Sequence, residues 1–142
     1  TAFNPSAVFA QAMRIHEDIN MLLKALEVKD DTIPPLKKAD ATPADSFEAV
    51  LQLLKEIKRV QNLANIESID IYVFKSNKNT SPTEVFGLTG IVLVELQTLK
   101  AYLDLKHAFT PLANFYYDKT PGDVQQLLNW SAKKMQLIQS LN

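Results

Sequence analysis

The sequence contains no cysteine. That excludes disulfides, thiol catalysis, covalent haem attachment through cysteine and cysteine-ligated zinc or iron–sulfur centres. Glycine is nearly as scarce, with three residues in 142, and no Gly-x-Ser-x-Gly, His-Glu-x-x-His or P-loop pattern occurs. The usual sequence routes to an activated nucleophile, a zinc-bound water or a phosphate cradle are therefore missing. No basic run exceeds two lysines and the net charge is −1, so the cationic face that nucleic-acid binding requires is absent. The longest apolar stretch runs from Val85 to Val94 and closes at Glu95. A bilayer span needs about 20 such residues, so this stretch reads as a helix buried in protein, with no membrane span.

Hydrophobic residues make up 46% of the chain and charged residues 22%, the balance of an ordinary globular domain. A single helical-bundle domain over residues 1–142 is expected. Lack of cysteine fixes no compartment. The start at Thr1 leans the reading towards an exported, periplasmic mature fragment.

Four helix-start signals stand out against this plain background. Asn4-Pro5, Thr42-Pro43, Ser81-Pro82 and Thr120-Pro121 each place a capping side chain before proline, and an acid follows the last three prolines at Asp45, Glu84 and Asp123. The cap oxygen accepts from a free backbone N–H, proline at the first helical position loses no hydrogen bond, and the acid completes a capping box. The prolines are 38, 39 and 39 residues apart. Behind each runs an apolar rhythm with steps of four and three: Val8, Ala12, Ile15, Ile19, Leu22 and Leu26; Ser46, Val50, Leu53, Ile57, Val60 and Ala64; Val85, Thr89, Val92, Leu96, Leu99 and Leu103; Val124, Leu128, Ser131, Met135 and Ile138. This is the seam of helices packed at a shallow angle. The expected fold is an all-α four-helix bundle, mainly antiparallel up-down-up-down, with helices near 5–28, 43–66, 82–108 and 121–141.

The connections are long. Ile33-Pro34-Pro35-Leu36 is expected to close one bundle end with its two apolar side chains. Residues 69–74 alternate and are rich in β-branched and aromatic types, which suggests a short extended segment. The third helix is apolar nearly all round, so a loop or a second subunit should cover it. Gly87 and Gly90 within it cost helix propensity, and close approach by another backbone would compensate. Together with Ile91 and Val94 they mark a helix-packing or homodimer seam.

Chemistry-bearing residues are few. Asp104-Leu105-Lys106-His107 is a lone partial match to the Glu-x-x-His pattern of di-iron bundles, and His16 is the other histidine. Both histidines read as surface or capping residues, and no metal or cofactor site is expected. Glu95, in the most apolar part of the third helix, reads as an exposed flank; were it buried, it would be the carboxylate of a bundle enzyme. The glutamines and lysines of helix 4 (Gln125, Gln126, Lys133, Lys134, Gln136, Gln139) read as a solvated face. Aromatic residues carry the remaining signal: Phe115, Tyr116 and Tyr117 before helix 4, and Trp130 within it, combine apolar area with polar tips suited to ligand or partner contact. The functional expectation is a non-enzymatic binding or interaction module for a protein or small apolar ligand. The rival expectation is a structural homo-oligomerisation module using helix 82–108.

Overall fold

The proline signals set the start of every helix. In the computed structural model, which describes residues 3–105 and 108–141, the helices are α1 (Pro5–Ala25), α2 (Pro43–Leu63), α3 (Pro82–Tyr102) and α4 (Pro121–Gln136). Asn4, Thr42, Ser81 and Thr120 all adopt extended backbone, and each accepts from the amide three residues on. Asp45, Glu84 and Asp123 reciprocate as full capping boxes.

The first three helices end alike, three to six residues earlier than expected from the sequence. Glu27, Asn65 and Asp104 take left-handed φ of 57°, 57° and 58°. The amides that follow, on Val28, Ile66 and Leu105, reach back to the carbonyls of Leu23, Gln61 and Lys100. These are Schellman stops with an apolar residue after each left-handed position. None uses glycine, so the usual stop signal is absent from the sequence. His107, expected in the last turn of the third helix, lies outside the described residues.

The all-α four-helix bundle is present, but the helices are parallel. Pro5, Pro43, Pro82 and Pro121 meet at one end around a gap of about 10 Å³, together with Val8, Ser46, Val85 and Val124. At that end the Ser46 hydroxyl donates to the Pro121 carbonyl at 2.9 Å, and Phe3 stacks on Phe86. Towards the other end Lys100 meets Asp18, and Arg59 donates to the Met135 and Ile138 carbonyls. α1 packs on α3 and α4, and α2 packs on the same pair. α1 thus lies diagonally across from α2, and α3 from α4. The antiparallel expectation fails because each connection is long enough to return the chain. A 21-residue helix rises about 31 Å, whereas 17 extended residues reach roughly 55 Å.

Parallel helices with matched starts put equal offsets from proline at equal heights. The four-residue sets Val8/Ser46/Val85/Val124 through Leu22/Val60/Leu99/Ile138 form five layers, and every member is at most 2% exposed. Burial of the Val, Leu, Ile and Met side chains among them stabilises by about 1.5–3 kcal/mol each.

The connectors run along the outside. Connector 1 (residues 26–42) descends the outer side of α4, held by Thr32, Pro35 and Lys37 on Trp130, Gln126 and Asp123. Ile33 and Leu36 are 73% and 98% exposed and close no bundle end. Connector 2 (64–81) holds a single 3₁₀ turn, Ile71–Val73, in place of the extended segment expected at 69–74. Asp70 caps that turn by accepting from Tyr72 N, and Ile71 is buried. Connector 3 (103–120) descends α1.

Candidate functional site

Connector 3 is fastened to α1 at intervals. Near its start, Thr110 Oγ1 donates to Asp18 Oδ2 at 2.7 Å, and Lys100 Nζ donates to Asp18 Oδ1 at 2.9 Å and to the Ala108 carbonyl at 2.6 Å. Gln97 Nε2 donates to both Asp18 and Thr110. Asp18 and Lys100 are 1% and 3% exposed. A buried pair of this kind is tolerable because both ions fill their hydrogen-bonding capacity. Next, Arg14 Nε donates to the Pro111 carbonyl at 2.9 Å. Further on, Tyr116 packs edge-on against Phe9 with ring centroids 5.0 Å apart. The Lys119 amide donates to Ser6 Oγ, and its ammonium lies over the Phe9 ring.

Between these fastenings the apolar side chains point outward. Phe109, Leu112, Phe115 and Tyr117 are 75%, 88%, 90% and 79% exposed. Under residues 113–118 lies an open cleft of about 590 Å³, floored by Ala7 and Ala10 of α1 and Phe86 of α3 and rimmed by Phe115, Tyr116 and Tyr117. Asn4, Ser6, Asn114 and Asp118 add polar groups at its edge. This combination of apolar walls, few polar groups and several hundred cubic ångströms is typical of a site that takes an apolar group.

Of the residues singled out in the sequence, Phe115, Tyr116 and Tyr117 come together at this cleft, Tyr116 with part of its ring committed to Phe9. Trp130 is elsewhere. It sits half-buried on α4 under connector 1, its Nε1 donating to Thr32 Oγ1 at 2.9 Å and its ring 4.6 Å from that of His16. The four aromatics therefore form two places.

Gly87, Gly90, Ile91 and Val94 do share a face, and it is an outer one. Nothing lies within 4 Å of where a Cβ would stand at Gly87 or Gly90, so no backbone approaches them. With Ile69 and Phe74 these four residues line an open hollow of about 440 Å³. The covering expected for helix 3 is incomplete: connector 2 reaches its edge, and Val94 remains 62% exposed. α3 is the one described helix whose length and composition would suit a membrane span. In the fold, Val85, Leu88, Val92, Leu96 and Leu99 are buried against the other helices.

Three polar residues were misplaced by the sequence reading. Glu95 is not an exposed flank: it is 9% exposed, and Gln61 Nε2 approaches its Oε1 at 3.5 Å. His16 is 6% exposed, its Nδ1 3.0 Å from Ser131 Oγ. Burial, reinforced by the nearby Lys134 charge and opposed by Asp30, lowers its pKa from 6.5 to about 4. Lys134, assigned to a solvated face, is 5% exposed beneath connector 1, where it pairs with Asp30 and lies over Trp130. Burial raises the Asp30 carboxyl, but hydrogen bonds from Lys134 and Thr32 and the Lys134 charge outweigh that and hold it at about 2. Lys134 is covered by connector 1, whereas His16 and Glu95 flank the seam and meet neighbouring helices, His16 at Ser131 and Trp130 of α4 and Glu95 at Gln61 of α2. Among the described residues no three His, Asp or Glu side chains gather as metal ligands would. No protein-family model, curated protein or solved structure matches the chain.

Proposed function

We propose that the chain is a non-enzymatic binding module whose contact surface is connector 3 and the cleft beneath it. The observation that carries this reading is an anchored display. Thr110, Pro111, Tyr116 and Lys119 are tied to α1, while Phe109, Leu112, Phe115 and Tyr117 between them are largely in water. Holding large apolar side chains outward on a fixed backbone has a solvation cost and lowers the entropy lost on binding. The occupant that suits the cleft is an apolar side chain or ring of a protein partner. The test is affinity enrichment from the native source with wild type, Phe115→Ser/Tyr117→Ser, and Leu36→Ser as a control exposed elsewhere. A partner kept by wild type and control but lost by the double variant supports the reading. Equal retention by all three overturns it.

A second reading, self-association through α3, is favoured by the open space at Gly87 and Gly90 and the exposure of Val94. Small residues on an uncovered helix face allow a second helix to approach closely. Sedimentation velocity at high micromolar concentration tests it: a monomer in wild type removes it, and a dimer broken by Val94→Asp sustains it.

A further inference from the structure

The buried charges of the bundle are paired, with one exception. Asp18 and Lys100 hold each other, and Lys134 is held by Asp30. Glu95 is also buried, at 9% exposure, yet among the described residues no ammonium or guanidinium pairs with it. Gln61 Nε2 reaches Oε1 only at 3.5 Å, and no other described group donates to the carboxylate. A carboxylate can accept roughly four hydrogen bonds, and burying one so poorly compensated is costly. The same side chain lines the open hollow of about 440 Å³ on the outer side of α3, and its remaining exposure opens there. No other charged residue lines that hollow among those described. Its floor at Gly87 and Gly90 is bare backbone, with nothing within 4 Å of either missing Cβ, and Ile69 and Phe74 of connector 2 wall it.

We propose that this hollow is a binding site for a small aromatic amine, its ring on the backbone at Gly87 and Gly90 and its ammonium on Glu95. The cation supplies the counter-ion that the chain itself withholds, through a charge-assisted hydrogen bond. The ring takes the apolar remainder of a hollow whose size suits a small molecule. Spacing agrees. Gly90 and Glu95 are five residues apart, about 7.5 Å along the helix, and a helical side chain leans back towards the N-terminus. The carboxylate therefore stands within reach of an amine carried on a two-carbon arm. A second copy of the chain would not serve: the one cation of α3 is Lys100, which is committed to Asp18, so pairing through α3 leaves Glu95 uncompensated. The site is separate from the connector 3 cleft and stands independently of the reading given for it.

NMR titration of isotope-labelled protein with phenethylamine tests this, with phenethyl alcohol and hydrocinnamate as its neutral and anionic counterparts. The expected result is saturable shifts of the Gly87 and Gly90 amides with the amine, affinity about ten- to a hundred-fold lower for the alcohol, and no binding of the anion. Glu95→Gln keeps the shape, removes the charge, and should lose the preference for amine over alcohol. Gly90→Leu should abolish binding of both by filling the hollow. Phe115→Ser/Tyr117→Ser should bind the amine as wild type does, which separates failure of this site from failure of connector 3. Absence of amine-induced shifts at both glycines overturns the proposal. So does equal affinity for amine and alcohol in wild type, an undiminished amine preference in Glu95→Gln, or loss of amine binding in the connector 3 variant. Should Glu95→Gln fail to fold, the comparison of the three ligands on wild type decides.

Discussion

The three glycines make one decisive experiment, because helix propensity and packing assign opposite signs to the same substitution. Glycine to alanine inside a helix ordinarily stabilises by up to about 1 kcal/mol. At Gly122, in the first turn of α4, the added Cβ would stand 2.2 Å from the Lys38 carbonyl oxygen and 3.3 Å from its carbon. An ordinary carbon–oxygen approach is about 3.3 Å, so the backbone of connector 1 must retreat by roughly 1 Å. That retreat strains the Ala41–Lys38 turn and the Lys37–Asp123 ion pair, 3.1 Å long, on either side. Overpacking against backbone costs about 1–3 kcal/mol, so Gly122→Ala should lose about 1–2 kcal/mol net. Gly87→Ala and Gly90→Ala meet nothing within 4 Å and should each gain about 0.5–1 kcal/mol. Urea titrations followed by circular dichroism at 222 nm, with m-values checked for constancy, measure all three. A Gly122→Ala variant as stable as wild type would refute the seating of connector 1 on α4. Losses at Gly87 and Gly90 would refute an open outer face on α3.

Other perturbations separate the remaining arguments. Asp18→Ala leaves the Lys100 ammonium buried without its counter-ion and should cost about 3–5 kcal/mol, whereas Asp18→Leu/Lys100→Met should recover most of it; chemical denaturation of the two variants decides. Global stability should fall as pH drops from 6.5 to about 4, because unfolded His16 takes up a proton that native His16 refuses. The loss, about 3 kcal/mol at most, is complete once pH passes the folded value, and His16→Phe should flatten this limb of the stability curve. Asp30 has the same sign at lower pH: its contribution is present above 3.8 and fades as pH falls towards about 2. Glu27→Gly should raise stability by up to about 1 kcal/mol by relieving a left-handed residue, and Asn65→Gly by less, as thermal melts would show.

Helix starts and core layers were legible because both are written locally. A capping residue before proline needs no tertiary context, and the twenty seam residues of the five layers are buried where the four-three rhythm put them, while Leu26 and Leu103, next in the same rhythm, are only partly buried past the helix ends. Helix direction was not legible, since caps and seams look the same in parallel and antiparallel bundles. It is settled by contacts such as Ser46 on Pro121 and Lys100 on Asp18, which join residues 75 and 82 apart. The helix ends were missed because Glu27, Asn65 and Asp104 occupy positions where glycine is the usual marker. Lys134 read as part of a solvated face, and the buried Asp18–Lys100 pair left no signal, because nothing in a helical period reveals a connector lying across it. The cleft under residues 113–118 was half visible: its aromatics stood out, but Ala7, Ala10 and Phe86 beneath them did not.

The parallel arrangement also sets how the chain must assemble. In an up-down bundle, sequence neighbours form helical hairpins that can appear while the rest of the chain is still disordered. Here the diagonal placement of α1 against α2, and of α3 against α4, withholds that route. α1 finds its first packed neighbour only in α3, and its second in α4, more than a hundred residues on. Loop-closure entropy must be met before those distant contacts return anything, so this helical protein carries the contact order of a β-rich one. It should fold on the slower scale of such proteins. During synthesis, the first two helices should wait as an unpaired, apolar half until the third leaves the ribosome.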